Sequence, residues 1–302
     1  GLGEYTVRFS TSGGDKTFTL TIATLLIDSY EKFTSTEFGM PSYHIKERIN
    51  TNPLKDGYFV LMRDVDFEGK PEFAMNTDSD STSGMPAGPY EYENSWFGTF
   101  DGRGNVVTDI IVDRYGIFAH IGAGAVIKNF GVLNAKIYVP SGNIGYLFSF
   151  GNDGVIDNCY AEIIDFPAIA ETAIFCRQVR FAGSVTNSIA AVKTEDSSSY
   201  ASTHGAVLHH NYDSTTVKNV YLLRRGANNK AVINDYGNSG VWGTFEFCSD
   251  LIAAVNRRYY DQLEGATKSE VSFDGFDKNH WTIDSDNGHI YFGTHKVYDA
   301  EN

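Results

Sequence analysis

One phrase recurs between residues 96 and 224, and few architectures can accommodate it. Gly116-Ile117-Phe118, Gly145-Tyr146-Leu147, Ala173-Ile174-Phe175 and Ala206-Val207-Leu208 each open a unit with a small residue and two apolar ones. Each unit then reaches an Asn: Asn129, Asn158, Asn187 and Asn219. The spacing from opening to Asn is constant, except that Asn187 comes one residue late. Two residues before each Asn sits an aliphatic: Ile127, Ile156, Val185 and Val217. Val107-Thr108-Asp109 reads as a weaker, earlier unit with Asp in the Asn place. The period is about 29 residues and lengthens to about 32 at the end, within the range of stacked arrays.

Within each unit the apolar residues alternate with period two and are broken by Gly, which is strand patterning. A unit this short cannot bury its apolar face alone, so neighbours must stack into a continuous core. The architecture that follows is all-β, a parallel β-helix with equivalent residues about 4.8 Å apart. Ile127, Ile156, Val185 and Val217 then form an inward ladder, and Asn129, Asn158, Asn187 and Asn219 a corner ladder. Asn suits a corner because it tolerates left-handed φ/ψ and stacked amides can bond along the column. That accounts for the Asn without a catalytic role.

Apolar residues make up 42% of the 302, enough for a substantial core. The aromatic share of 14% and the 30 Gly suit strands joined by tight turns. The formal net charge of -14 argues against nucleic acid or anionic membrane as partners, because a phosphate-binding surface needs a basic face. No apolar run is long enough for a membrane span. The chain opens on Gly with no signal peptide after it, which points to a processed product or a segment of something longer. Cys159, Cys176 and Cys248 have neither metal spacing nor a C-x-x-C, and their odd number does not make a disulfide framework. Cys159 reads as a small core residue.

The rest of the chain divides around the repeat. Residues 1–25 read as a β-hairpin, with Tyr5, Val7 and Phe9 alternating, a turn at Ser12-Gly13-Gly14-Asp15, then Phe18, Leu20 and Ile22. Gly3-Glu4-Tyr5-Thr6-Val7 with Thr17-Phe18-Thr19-Leu20-Thr21-Ile22 resembles the last two strands of a bacterial immunoglobulin-like domain. Residues 26–57 read as an N-terminal cap, with Asp28 and Glu31 fitting a capping box and a second helix after Pro41-Ser42. Residues 58–245 hold the β-helix, beginning with a strand over 58–67 and a long polar loop over about 70–95. Residues 246–302 read as a C-terminal cap, a helix begun by Ser249 followed by strands and a hairpin turn at Asp286-Asn287-Gly288.

Phe97-Gly98-Thr99-Phe100-Asp101-Gly102, the Gly-Ile-Phe opening at Gly116, and the recurrent Gly/Ala-x-Ile/Val-x-Asn phrase resemble the secreted bacterial β-helix repeats of the GLUG family. The resemblance spans about 26–225 and departs from the family where Ala173 and Ala206 replace Gly. It implies a right-handed β-helix in an extracellular setting, on a bacterial surface or in a phage virion protein, and no common enzyme activity.

The chemistry readable from the residues is sparse. A glycosidase needs two carboxylates in a cleft. Asp64 and Asp66 would share one face of a strand about 7 Å apart and are the weak catalytic candidates. A lyase would pair a basic residue with Ca²⁺-binding carboxylates, and no acidic column coincides with a basic one. His209 and His210 point to opposite faces of a strand, so no metal site and no cofactor is assigned. Aromatic rings beside acids and amides suit sugar recognition, which makes Tyr90, Tyr92, Trp96, Tyr200, His204 and Tyr212 the candidate ligand-binding residues. The leading expectation is a non-enzymatic adhesion or glycan-contacting module of a larger bacterial surface protein. Its partners would be a surface glycan or host protein and other domains of the same polypeptide. The alternatives are a structural or receptor-binding module of a phage virion, homo-oligomeric in that setting, and a carbohydrate-active enzyme.

Overall fold

Phe59, Phe100, Ile127, Ile156, Val185 and Val217 stand opposite one another, each on a parallel strand, with no shift of register along the row. None is more than 2% exposed. The computed structural model in which this row is seen describes residues 2–33, 57–68, 96–112, 116–118, 120–138, 144–164, 171–179, 182–193, 208–211, 216–224, 273–284 and 289–297. The fold is all-β, built on one large, mainly parallel sheet, and a single helical turn interrupts it among the described residues. The expected helices after Pro41 and Ser249 lie outside those residues.

The chain returns to the same strand positions once per repeat. The first position is filled by Leu25–Ile27, Tyr58–Leu61, Thr99–Asp101, Val126–Lys128 and Val155–Asp157. The second is filled by Val65–Asp66, Val106–Thr108, Gly131–Ile137 and Tyr160–Ile163. Ser184–Val192 and Thr216–Arg224 run through both positions and, with Ile111–Val112 paired beside Lys136 and Ile137, complete one sheet of twelve strands. His120–Ile121, Ser149–Asn152, Cys176–Val179 and Leu208–Asn211 make a separate four-stranded parallel sheet. The stretch 58–67 is therefore two strands and not one, split by a bend at Arg63.

Asn129, Asn158, Asn187 and Asn219 make the corner between the first two positions, all with φ between 48° and 54°. A Cβ-bearing residue in that region is costly unless its short polar side chain bonds locally, which Asn can do. The amides do not form one continuous column. Asn219 Nδ2 donates to Asn187 Oδ1 at 2.9 Å, but Asn187 and Asn158 donate to Asp157, and Asn129 donates to Asp101. In the preceding unit the corner belongs to Gly102, whose N–H donates to Lys128. A Cβ there would lie 2.4 Å from the Asn129 carbonyl oxygen. Asp109 is not the Asn equivalent, since Val107 pairs with Val132 and Asp109 follows the second strand position with φ 56°. The short phrase Val-Thr-Asp resembles both corners, and only strand pairing separates them.

Phenylalanine fills the interior. Phe100, Phe118, Phe130, Phe148 and Phe175 are fully buried, with successive ring centroids 5.1–6.3 Å apart. Tyr30–Phe33 packs on this row, Phe33 lying edge-on to Phe67 at 5.3 Å and to Phe100 at 6.1 Å. Ser29 begins this turn in place of Asp28: its Oγ accepts the Lys32 N–H at 3.3 Å and its carbonyl the Phe33 N–H at 3.0 Å. The capping residue is the one just before the first helical residue, here Tyr30, so Asp28 lies one residue too early. Asp28 meets the Lys32 ammonium instead, at 2.9 Å.

Trp281–Asp284, His289–Phe292 and His295–Lys296 form an antiparallel sheet. Phe276, Trp281, Ile290, Phe292 and Val297 share one apolar cluster with Val106, Tyr160, Ile189 and Ala191, with Leu133 packed against it. Those partners come from successive units, so these strands run along the side of the stack, where the sequence pattern had pointed to an end cap. Val106, Leu133, Tyr160, Ile189 and Ala191 put apolar surface on the outward side of the second strand row, and that surface needs a cover.

Candidate functional site

The hairpin Gly3–Thr11 and Gly14–Ile22 pairs in unbroken antiparallel register about a two-residue turn, Ser12-Gly13. Successive side chains take opposite faces. Glu4, Thr6, Arg8 and Ser10 with Asp15, Thr17, Thr19 and Thr21 make a polar face. Tyr5, Val7 and Phe9 with Phe18, Leu20 and Ile22 make an apolar one. The polar face is the one tied to the stack: the Arg103 guanidinium donates to the Glu4 carboxylate and the Thr21 hydroxyl. Arg103 is aimed by its own backbone, held at φ 54° with its N–H donating to Asp101 Oδ1 at 3.0 Å.

The apolar face is open. Tyr5, Phe9, Phe18, Leu20 and Ile22 are 40–53% exposed, and Phe9 and Phe18 stack with centroids 5.2 Å apart at 18°. Leu2, Leu26 and Met62 are also exposed. Burial of apolar area is the main favourable term in folding. A two-stranded sheet that anchors its polar side and shows its apolar side is the candidate contact surface. At its tip Arg8 and Asp15 form an ion pair, and the Arg8 hydrogen bond holds the Asp15 carboxyl below its usual range.

The candidate residues read from the sequence are not gathered here. Tyr90, Tyr92, Tyr200, His204 and Tyr212 lie outside the described residues. Trp96 is a core residue, 2% exposed, with its ring 5.3 Å from Phe118 and 6.1 Å from Phe59. Its strand bridge to Ile121 turns the indole into the stack, so it cannot meet a ligand. Asp64 precedes the strand Val65–Asp66, accepting the Val106 N–H at 2.9 Å on one oxygen and lying 3.0 Å from His295 Nε2 with the other. Asp66 accepts the Glu68 N–H at 2.7 Å. Each carboxylate thus serves a local turn or tie.

A charged column lines the outer face of the first strand row, where Asp101, Lys128, Asp157, Thr186 and Lys218 stand in register. Asp101 is 3% exposed, with Lys128 Nζ at 3.2 Å and the Tyr58 hydroxyl donating to it at 3.1 Å. Burial, then the Asp101 charge, pushes the Tyr58 hydroxyl far above its ordinary value. These groups satisfy one another and hold adjacent units together. Among the described residues no three His, Cys, Asp or Glu side chains converge on a metal-sized site. None of the described helices is long and apolar enough to cross a membrane.

The alternation of the hairpin was readable, but the role of Arg103 was not. It comes from a two-residue insertion, Arg103-Gly104, in the corner of one unit, and an insertion into a repeat is the signal that could have found it. No family model, no curated protein and no solved structure matches the chain.

Proposed function

We propose that the chain is a right-handed parallel β-helix of the GLUG type, acting as a non-enzymatic, extracellular contact module of a larger bacterial surface protein. The β-helix reading is supported by the unshifted parallel rows, the return to each strand position once per repeat, and the left-handed Asn corners. The observation that carries the function is the hairpin, held by Arg103 on its polar side with its aromatic side open. Stacked, half-exposed rings are a platform for the apolar face of a sugar. A surface glycan is therefore the proposed ligand.

The test is a glycan array probed with the wild-type chain and with Phe9→Ser/Phe18→Ser. Labelling of a glycan set that disappears in the double variant, with the circular dichroism of the stack unchanged, supports the reading. An array without labelled glycans, or labelling indifferent to both rings, removes it. The same face also favours a second reading, in which the hairpin is the end of an immunoglobulin-like domain. The facing sheet of that sandwich would then cover Phe9 and Phe18. On that reading the double variant destabilises the neighbouring domain in the longer polypeptide, and the array stays blank.

A further inference from the structure

Glu162 is only 4% exposed, although its strand neighbours Ala161 and Ile163 are the ones in the interior cluster. Three groups reach it from adjoining positions. Lys193 Nζ lies 3.0 Å from Oε1, the Asn134 backbone N–H donates to the same oxygen at 3.4 Å, and the Tyr160 hydroxyl donates to Oε2 at 2.8 Å. Lys193 Nζ also donates to Asn134 Oδ1 at 2.7 Å. The amide carbon lies one carbonyl bond behind that oxygen, which puts Asn134 Cγ about 3–4 Å from the amine, close to attack distance. A primary amine, a side-chain amide and a buried carboxylate touching the amine are the parts of an amide-exchange reaction.

We propose that Lys193 and Asn134 condense into an intramolecular isopeptide bond, with Glu162 as the catalytic residue. The Glu162 carboxylate takes a proton from the Lys193 ammonium, and the freed Nζ attacks Asn134 Cγ. The Nζ–Cγ bond forms as the bond from Cγ to the amide nitrogen breaks. Glu162 returns its proton to the departing nitrogen, which leaves as ammonia. The remaining surplus proton of Nζ passes through Glu162 to solvent. The exchange is redox-neutral and needs no co-reactant.

The fold supplies the orientation such a reaction needs. Asn134 sits at φ 53°, at the irregularity in the pairing of Gly131–Ile137 with Tyr160–Ile163. The Ile164 N–H donates to the Ala135 carbonyl and the Lys193 N–H to the Ile163 carbonyl, both at 3.0 Å, so backbone bonds tie the three units beside the reacting groups. Tyr160 is fully buried against Trp281 and Phe292, and its hydroxyl holds the Glu162 carboxylate in place on the dry side. The Lys193 side chain remains partly exposed, which leaves ammonia and the surplus proton a way out. The product would be a covalent staple between residues 59 positions apart, spanning three successive units. This inference does not depend on the ligand proposed above.

The test is the intact mass of the purified full chain, followed by digestion and fragment sequencing. The wild type is expected one ammonia lighter than its sequence, with a branched peptide joining residue 134 to residue 193. Lys193→Arg and Asn134→Ala are expected at full sequence mass, and so is Glu162→Gln if its circular dichroism matches the wild type. A wild-type chain at full mass after prolonged incubation in native buffer overturns the proposal and leaves an ion pair only. So does ammonia loss without the branched peptide, which is the outcome of succinimide formation at another Asn. A Glu162→Gln chain that still links removes the carboxylate from the mechanism.

Discussion

The Asp277 backbone N–H donates to Asn158 Oδ1 at 2.7 Å, joining groups 119 positions apart. Asn158 therefore serves two directions at once. Within its corner it adopts φ 52° and donates to Asp157 Oδ2 at 2.8 Å, and outward it receives the C-terminal segment. Asn158→Gly keeps the backbone conformation and loses both bonds, an expected cost of about 1–3 kcal/mol. Asn158→Ala adds the left-handed penalty, roughly 1–2 kcal/mol more. Urea denaturation of the two variants measures the difference, and equal losses would show that the corner imposes no conformational cost.

Gly275 passes over the same corner, where a Cβ would lie 2.0 Å from Asn187 Oδ1. Gly275→Ala should lift the covering segment at an expected cost of about 1–3 kcal/mol. The readout is amide hydrogen exchange over Trp281–Asp284 and His289–Phe292, which should quicken while exchange in Val155–Asp157 stays slow. Unchanged protection of the C-terminal strands would mean that the close approach at Gly275 is not needed to hold them.

Cys159 and Cys176 are fully buried, and burial pushes both thiols far above the ordinary range. The thiolate is the reactive species, so neither should be alkylated by a maleimide at neutral pH while the protein is folded. Both should react once it is denatured. Peptide mapping distinguishes them from Cys248, and native labelling at residue 159 or 176 would contradict the packing described.

The Lys32 ammonium, bonded to Asp28, holds that carboxyl below its ordinary value. A depressed folded-state value contributes stability that is present above the unfolded value, about 3.9, and is lost as pH falls through the folded one. The first turn of Tyr30–Phe33 should therefore fray only in acid below that range. A carboxyl titration followed by NMR should place the Asp28 midpoint below the unfolded value, and Lys32→Ala should move it upward. Because both groups are well exposed, added salt should shrink the difference. A midpoint indifferent to Lys32 would dissolve the pair.

Much of the stack is legible in the sequence, because its signals are local or strictly periodic. The aliphatic before each Asn and the Asn itself recur in the chain at the spacing with which they stand opposite one another in the sheet. Other parts were readable only approximately. Trp96 looks like an aromatic at the end of a polar loop, and only its pairing with Ile121 shows that the ring enters the core. Asp28 and Ser29 are both good capping residues, and the placement of Phe33 against Phe67 decides between them.

By itself the sequence determined the strand period, the inward ladder, the corners and the amphipathic hairpin, since each follows from which residue types recur at which spacing. Only the tertiary structure decided which side of the hairpin is held, which face of the sheet is covered, and that Asn134, Glu162 and Lys193 meet. Those three residues occupy different units and share no motif. Their meeting depends on stacking, a local irregularity at Asn134 and the reach of one lysine across two neighbours. Such contacts form between positions far apart in the chain, where composition and periodicity carry no information, so their partners are set by packing alone.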